Sequence, residues 1–174
     1  RAEFSSIYYW SGTENHCTTP ECATAAITVA LPATVTVFDP DAGSYRPGLT
    51  VHAYQGATDT GYSAVTDENG QASLNLPIGN YRFMVELDGA QFFSEGYDHC
   101  DVPNCRGAEM WVFGARTVTV RQKNGTLVEN ALVEAYTETI YTGLSGTTNE
   151  NGVAQITLAQ GWYRFRVTVP SGQY

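Results

Sequence analysis

The chain alternates apolar and polar residues with a period of two over most of its length. Tyr81, Phe83, Val85 and Leu87 alternate with Arg82, Met84 and Glu86, and Tyr163, Phe165, Val167 and Val169 alternate with Arg164, Arg166 and Thr168. A two-residue period places one set of side chains on each face of an extended strand, so these runs predict half-buried β-strands. Turn-forming residues fall between the runs at short intervals: Asp41-Ala42-Gly43, Asn69-Gly70, Ile78-Gly79-Asn80, Asp88-Gly89, Asn124-Gly125, Asn151-Gly152 and Pro170-Ser171-Gly172. No segment shows a helical period. Short strands with turns about every ten residues predict an all-β fold of sandwich units, each of about 80 residues.

The pattern occurs more than once. Cys100 lies 83 residues after Cys17, Val120 lies 83 after Val37, and Tyr163 lies 82 after Tyr81. Val51-His52-Ala53-Tyr54 matches Val133-Glu134-Ala135-Tyr136, and Thr66-Asp67-Glu68-Asn69-Gly70 matches Thr148-Asn149-Glu150-Asn151-Gly152. One insertion or deletion accounts for the drift. A repeat of this length marks a supersecondary unit used in series.

Several runs together resemble the carboxypeptidase-regulatory-like (transthyretin-like) seven-stranded β-sandwich. They are Val35-Thr36-Val37, Gly43, Pro47-Gly48, Val51-His52-Ala53-Tyr54, Thr66-Asp67-Glu68-Asn69-Gly70-Gln71-Ala72 and Leu76-Pro77-Ile78-Gly79-Asn80-Tyr81-Arg82-Phe83. The added Phe93-Ser94 and His99-Cys100-Asp101-Val102-Pro103-Asn104-Cys105 are similar to the tandem version found in large secreted bacterial surface proteins. The resemblance implies tandem Ig-like or transthyretin-like antiparallel β-sandwich modules that serve as scaffolding or adhesion units without catalytic residues. In that frame a module starts at the Thr-Val-Thr-Val strand and ends with the strand after the cysteine loop. Residues 33–114 then form a complete module, residues 115–174 the first part of another, and residues 1–32 the closing part of a split one.

A sandwich lacking its closing strands leaves an apolar face and a sheet edge uncovered. The expected remedy is that residues 1–32 of one copy complete residues 115–174 of a neighbour, by adding strands to an incomplete partner. Ala2 and Phe4 match Val85 and Leu87, and Ile7 and Tyr9 match Ala90 and Phe92. The expected interface therefore comprises Phe4, Ile7, Tyr9 and Trp10 on one side and Tyr163, Phe165, Val167 and Val169 on the other. Two alternatives stay open. The chain, which begins at Arg1, reads as a processed or excerpted segment, and the junction is covalent in a repeat stalk; or residues 1–32 fold back on their own second unit.

Composition narrows the partners. With 18 acidic against 9 basic residues the formal charge is −9, which repels nucleic acid. No run approaches a membrane-spanning length. The four cysteines form two pairs of identical spacing, Cys17/Cys22 and Cys100/Cys105, which suits an oxidising compartment. Local disulfides respect the repeat; thiolate zinc ligation is the alternative, though the two pairs stand a module apart.

His16 and His99 precede the first cysteine of each pair beside Glu14, Asn15, Asp98 and Asp101, a setting able to hold a transition metal, against the simpler role of packing on the loop. His52 is expected on the outer face. Asp39-Pro40-Asp41-Ala42-Gly43 has the look of a calcium loop, but Arg121-Gln122-Lys123-Asn124-Gly125 lacks those carboxylates and no distal Glu follows, so an ordinary turn is expected and no cofactor. Tyr8-Tyr9-Trp10 can pack at the junction or stack on sugars, and Asn124-Gly125-Thr126 is a glycosylation sequon. No nucleophile elbow, phosphate loop, HExxH or paired-carboxylate motif is found, so no enzymatic activity is expected.

The expectation is an extracellular structural subunit that polymerises head to tail with itself, with other filaments or cell-surface glycans as possible contacts and no nucleic acid or membrane span. The alternative is an adhesin or glycan-binding module on a covalent stalk, which requires an exposed aromatic or polar pocket on the complete module.

Overall fold

The computed structural model describes residues 2–4, 7–9, 27–96 and 99–170. They form sixteen strands: β1 (Ala2–Phe4), β2 (Ile7–Tyr9), β3 (Ala30–Asp39), β4 (Ser44–Tyr45), β5 (Thr50–Gln55), β6 (Thr58–Val65), β7 (Gln71–Pro77), β8 (Gly79–Leu87), β9 (Ala90–Phe93), β10 (Cys100–Val102), β11 (Gly107–Trp111), β12 (Ala115–Thr119), β13 (Leu132–Thr137), β14 (Ile140–Thr147), β15 (Val153–Thr157) and β16 (Arg164–Thr168). The fold is all-β, and no helix among the described residues is long and apolar enough to cross a membrane.

In the first unit one sheet runs β10-β8-β5-β6 with β9 also on β8, and the other runs β11-β3-β4 with β7 also on β3. The pairings are antiparallel except that β11 lies parallel to β3, with Met110 opposite Val37. Period-two alternation sends Leu31, Ala33, Val35 and Val37 of β3 inward against Tyr81, Phe83 and Val85 of β8, all fully buried or nearly so. Met84 departs from the expected alternation. It lies on the outer face yet is 6 % exposed, because it is paired with Phe93 of β9.

The second unit repeats this scaffold from β12 to β16, with β12 on β15 and β14-β13-β16 as its other sheet. The registers correspond residue for residue. Val118 faces Ala154 as Val35 faces Ala72, and Val133 faces Val167 as Val51 faces Val85. Its core, around Val133, Ala135, Ala154, Ile156 and Leu158, is much smaller.

Two devices recur in both units. Buried Thr66 accepts the Leu49 N–H at 2.9 Å and donates to the Arg46 carbonyl at 2.7 Å; buried Thr148 accepts the Ala131 N–H at 2.8 Å and donates to the Val128 carbonyl at 2.7 Å. Each hydroxyl thus satisfies a loop that crosses between the sheets. The turns that follow require glycine. A Cβ on Gly70 would stand 2.9 Å from the Val37 carbonyl oxygen, and one on Gly152 would stand 2.8 Å from that of Val120, with φ of +68° and +66°.

The two turns differ in charge. The Asp67 carboxylate accepts N–H bonds from Asn69 and Gln71, whereas neutral Asn149 accepts the same bonds from Asn151 and Val153. The Gln71 N–H above all holds the Asp67 carboxyl below its ordinary 3.8. Folding therefore favours the ionised form; the stability it contributes is present above pH 3.8 and is lost as the pH falls through the lowered value.

Two outcomes are expected. Thr148→Val leaves a buried N–H and a buried carbonyl without partners and lowers stability by about 2–3 kcal/mol in urea unfolding, and Thr66→Val, whose partners are half-buried, lowers it by about 1–2 kcal/mol. Asp67→Asn, which copies the second unit's turn, flattens the loss of stability on acidification, read as urea midpoints across roughly pH 2 to 6.

Candidate functional site

The second unit presents a sandwich face that the first keeps closed. β16 alternates Arg164, Phe165, Arg166, Val167 and Thr168, so Phe165 and Val167 point inward as Phe83 and Val85 do in β8. β8 is flanked on one edge by β5 and on the other by β9 and β10. β16 has β13 on one edge and, among the described residues, no strand on the other. β3 lies between β7 and β11, whereas β12 has, among the described residues, only β15.

Burial registers the difference. Phe83 and Val85 are 0 % exposed, while Phe165 is 41 % and Val167 38 % exposed. The apolar area left in water corresponds to roughly 1–2 kcal/mol for each side chain at about 25 cal/mol per Å². The sequence places Tyr163, Phe165, Val167 and Val169 on the inward side of an uncovered face; Phe165 and Val167 stand open, with no strand among the described residues on the free edge of β16. Tyr163 is half-buried, and its hydroxyl donates to the Ala159 carbonyl at 3.1 Å, as Tyr81 donates to Pro77 at 3.0 Å. Burial raises both phenol pKa values.

The first unit shows what closes such an edge. The Ser94 side chain accepts the Phe83 N–H at 2.8 Å, and the Ser94 N–H donates to the Phe83 carbonyl at 2.9 Å. β10 then pairs Cys100 with Tyr81 and Val102 with Gly79, and both Cys100 and Val102 are buried. Cys100 and Cys105 are joined by a disulfide, and the loop between them is tightened by the Cys105 N–H on the Asp101 carbonyl at 2.7 Å and by Asn104 on Asp101 at 2.9 Å. His99 packs back on its own loop, with Nδ1 2.9 Å from the Glu95 carbonyl oxygen. Cys17, Cys22, His16 and Trp10 lie outside the described residues.

Other expected sites resolve as structure. Asp39 is buried, accepts the Asp41 and Ala42 N–H groups at 2.9 and 3.1 Å, and stands 3.5 Å from Arg46, so this stretch is a hydrogen-bonded turn. His52 is half-exposed and faces Asp59 at 3.6 Å. No group of three or more potential metal-ligating side chains is found among the described residues. Tyr9, expected at the junction, packs on the first unit's core and donates its hydroxyl to the Ala30 carbonyl at 3.0 Å, while Tyr8 is half-exposed.

Sequence reasoning did not find the charges on the outer face of β13 and β16 or between the units. Glu134 accepts two bonds from Arg166, each at 2.9 Å, and Arg166 lies 5.1 Å from the Tyr136 ring. The hydrogen bond to Glu134 is the main cause that raises the arginine's pKa. The equivalent positions in the first unit are His52 and Met84, so the repeat gave no signal. Asp41 bridges to Arg116 at 3.0 Å and to the Gly114 N–H at 3.2 Å, and Asp88 accepts the Thr157 hydroxyl at 2.9 Å, tying the two units together.

No protein-family model matches the chain, and no curated protein matches it. Among solved structures it is similar to the Bacillus anthracis TIE protein (21 % identity, TM-score 0.35, covering 83 % of this chain and 29 % of that one). It is also similar to a streptococcal ancillary pilin (19 %, 0.39, covering 85 % and 56 %) and to the shaft pilin SpaA from Lactobacillus rhamnosus GG (13 %, 0.35, covering 82 % and 89 %). The chain thus spans less than two thirds of the first two. Likeness at this level assigns no function.

The open face has a direct consequence for stability. In dilute solution Phe83→Ala costs about 3–5 kcal/mol, the range for a buried aromatic, while Phe165→Ala costs about 1–2 kcal/mol, both read from denaturant unfolding.

Proposed function

We propose that the chain is a structural subunit of an extracellular surface fibre, in which the part of residues 1–32 that precedes β3 in one copy completes the second unit, residues 115–174, of the next. The observation that carries this reading is the exposure of Phe165 and Val167 where their counterparts Phe83 and Val85 are sealed. Such a contact joins two different surfaces and, when it does not close on itself, propagates as an open filament. The carboxypeptidase-regulatory-like resemblance and the lack of catalytic motifs agree with a mechanical, non-enzymatic role outside the cell.

The N-terminal strands have the right form. β1 and β2 pair Ala2 with Tyr9, Glu3 with Tyr8 and Phe4 with Ile7. At an offset of 83 these are the β8–β9 pairs Val85 with Phe92, Glu86 with Gln91 and Leu87 with Ala90. Val85, however, is matched both by Ala2 and, at an offset of 82, by Val167. Only one can occupy that place in a joined unit. Among the described residues the second unit shows neither a disulfide loop nor a strand after it. Cys17–Cys22 matches the loop, and residues 24–28 match β11, with Ile27 in the place of Met110. The essential donor is thus the stretch around the cysteines.

Negative-stain microscopy and sedimentation test the reading. The full chain is expected to form filaments that persist on dilution, and a chain without residues 1–26 is expected to stay monomeric with its first unit folded. Compact monomers of the full chain at all concentrations, or filaments from the truncated one, overturn it.

A further inference from the structure

The first unit carries a second feature, independent of the open face. Between β9 and β11, edge strands of the two sheets, lies a cleft of about 630 Å³ that extends to Ala159 and Gln160 of the second unit. Its floor is buried Phe92 and Met110. Phe93 and Trp111 stand at its sides, 39 % and 58 % exposed.

Both rings are held in place. The Trp111 Nε1–H donates to Glu109 Oε1 at 2.6 Å, and the Arg82 guanidinium lies 4.1 Å from the Phe93 centroid with Tyr54 edge-on at 5.6 Å. Gln91, Ser94, Glu95, His99, Glu109 and Gln160 supply the polar lining, and neither lysine nor arginine is among the lining residues.

This lining selects a chemistry. Two carboxylates without a lining lysine or arginine repel phosphate, sulfate and acidic sugars. Exposed aromatic faces offer flat apolar platforms with a polar rim. The two glutamines each provide donors as well as an acceptor, which suits hydroxyl groups that both give and accept hydrogen bonds; an ammonium ion needs acceptors alone. The volume is that of a small-ligand site, at the boundary between two units where such sites concentrate. The matching positions in the N-terminal stretch are Ala26 for Glu109 and Thr28 for Trp111, so that stretch does not reproduce the site.

The geometry points to a binding site for neutral oligosaccharides in the β9–β11 cleft, with Trp111 as the stacking platform and Glu109, Gln91 and Gln160 as hydroxyl partners. The fibre would then carry one sugar-binding cleft per chain.

The test titrates the full chain with cellohexaose, mannohexaose and chitohexaose, and with hexalysine as a cationic probe, followed by tryptophan fluorescence and calorimetry. Saturable binding of at least one sugar is expected below about 10 mM, weakened about tenfold or more in Trp111→Ala and clearly in Glu109→Gln, and unchanged in Phe165→Ala. Circular dichroism confirms that each variant is folded. No saturable binding by any sugar, saturation by hexalysine alone, or equal binding by folded Trp111→Ala overturns the proposal. Loss of filaments without loss of sugar binding would count against the fibre reading alone.

Discussion

A β-sandwich is stable only when each inner face is covered and each buried backbone edge is paired, and the closing strands supply both. In the first unit β9 and β10 cover one edge of β8 while β11 covers one edge of β3. These strands convert Tyr81, Phe83 and Val85 from one wall of a cleft into the centre of a core. The second unit has the same central strands in the same registers, yet its core is small and Phe165 and Val167 of its inward face are partly in water. The difference lies in the covering strands, because the scaffold residues are matched almost one for one.

What the two units share is what the scaffold needs. Thr66 and Thr148 satisfy the crossing loops, Gly70 and Gly152 allow the turn backbone to approach the neighbouring strand, and Tyr81 and Tyr163 both anchor their strands to a carbonyl four residues back. What they do not share lies on the outer surface. Asp67 becomes Asn149, and the His52–Met84 pair becomes Glu134–Arg166. Glu134 is buried and held by Arg166 through two hydrogen bonds, so this exchange puts a bidentate ion pair where the first unit has His52 and Met84 while the architecture persists.

Much of the architecture could be read from the chain because it obeys strong local rules. The period-two runs became β8 and β16, and Asn69-Gly70, Asp88-Gly89 and Asn151-Gly152 became turns with positive φ at each glycine. Local pattern did not reveal Met84, whose burial depends on Phe93 across the hairpin, or the cleft, whose walls come from strands eighteen residues apart in sequence, Phe93 and Trp111. The inter-unit ties of Asp41 and Asp88 were equally hidden. Asp41 reads as part of a calcium-like turn, and only the packing of the units turns its carboxylate toward Arg116.

Those ties bear on how a fibre would transmit force. Asp41 grips Arg116 and the Gly114 N–H just where the chain passes from one unit to the next, Asp88 holds Thr157 of β15, and Leu144 packs on both cores. Two polar ties and a shared apolar side chain, spread over different strands, resist bending between units better than a bare linker does. The same arrangement keeps Gln160 of the second unit beside the first unit's cleft. Stiffness along the array and the shape of the cleft therefore depend on the same contacts, and an extended chain that kept its units in fixed orientation would present the cleft with a constant geometry at every repeat.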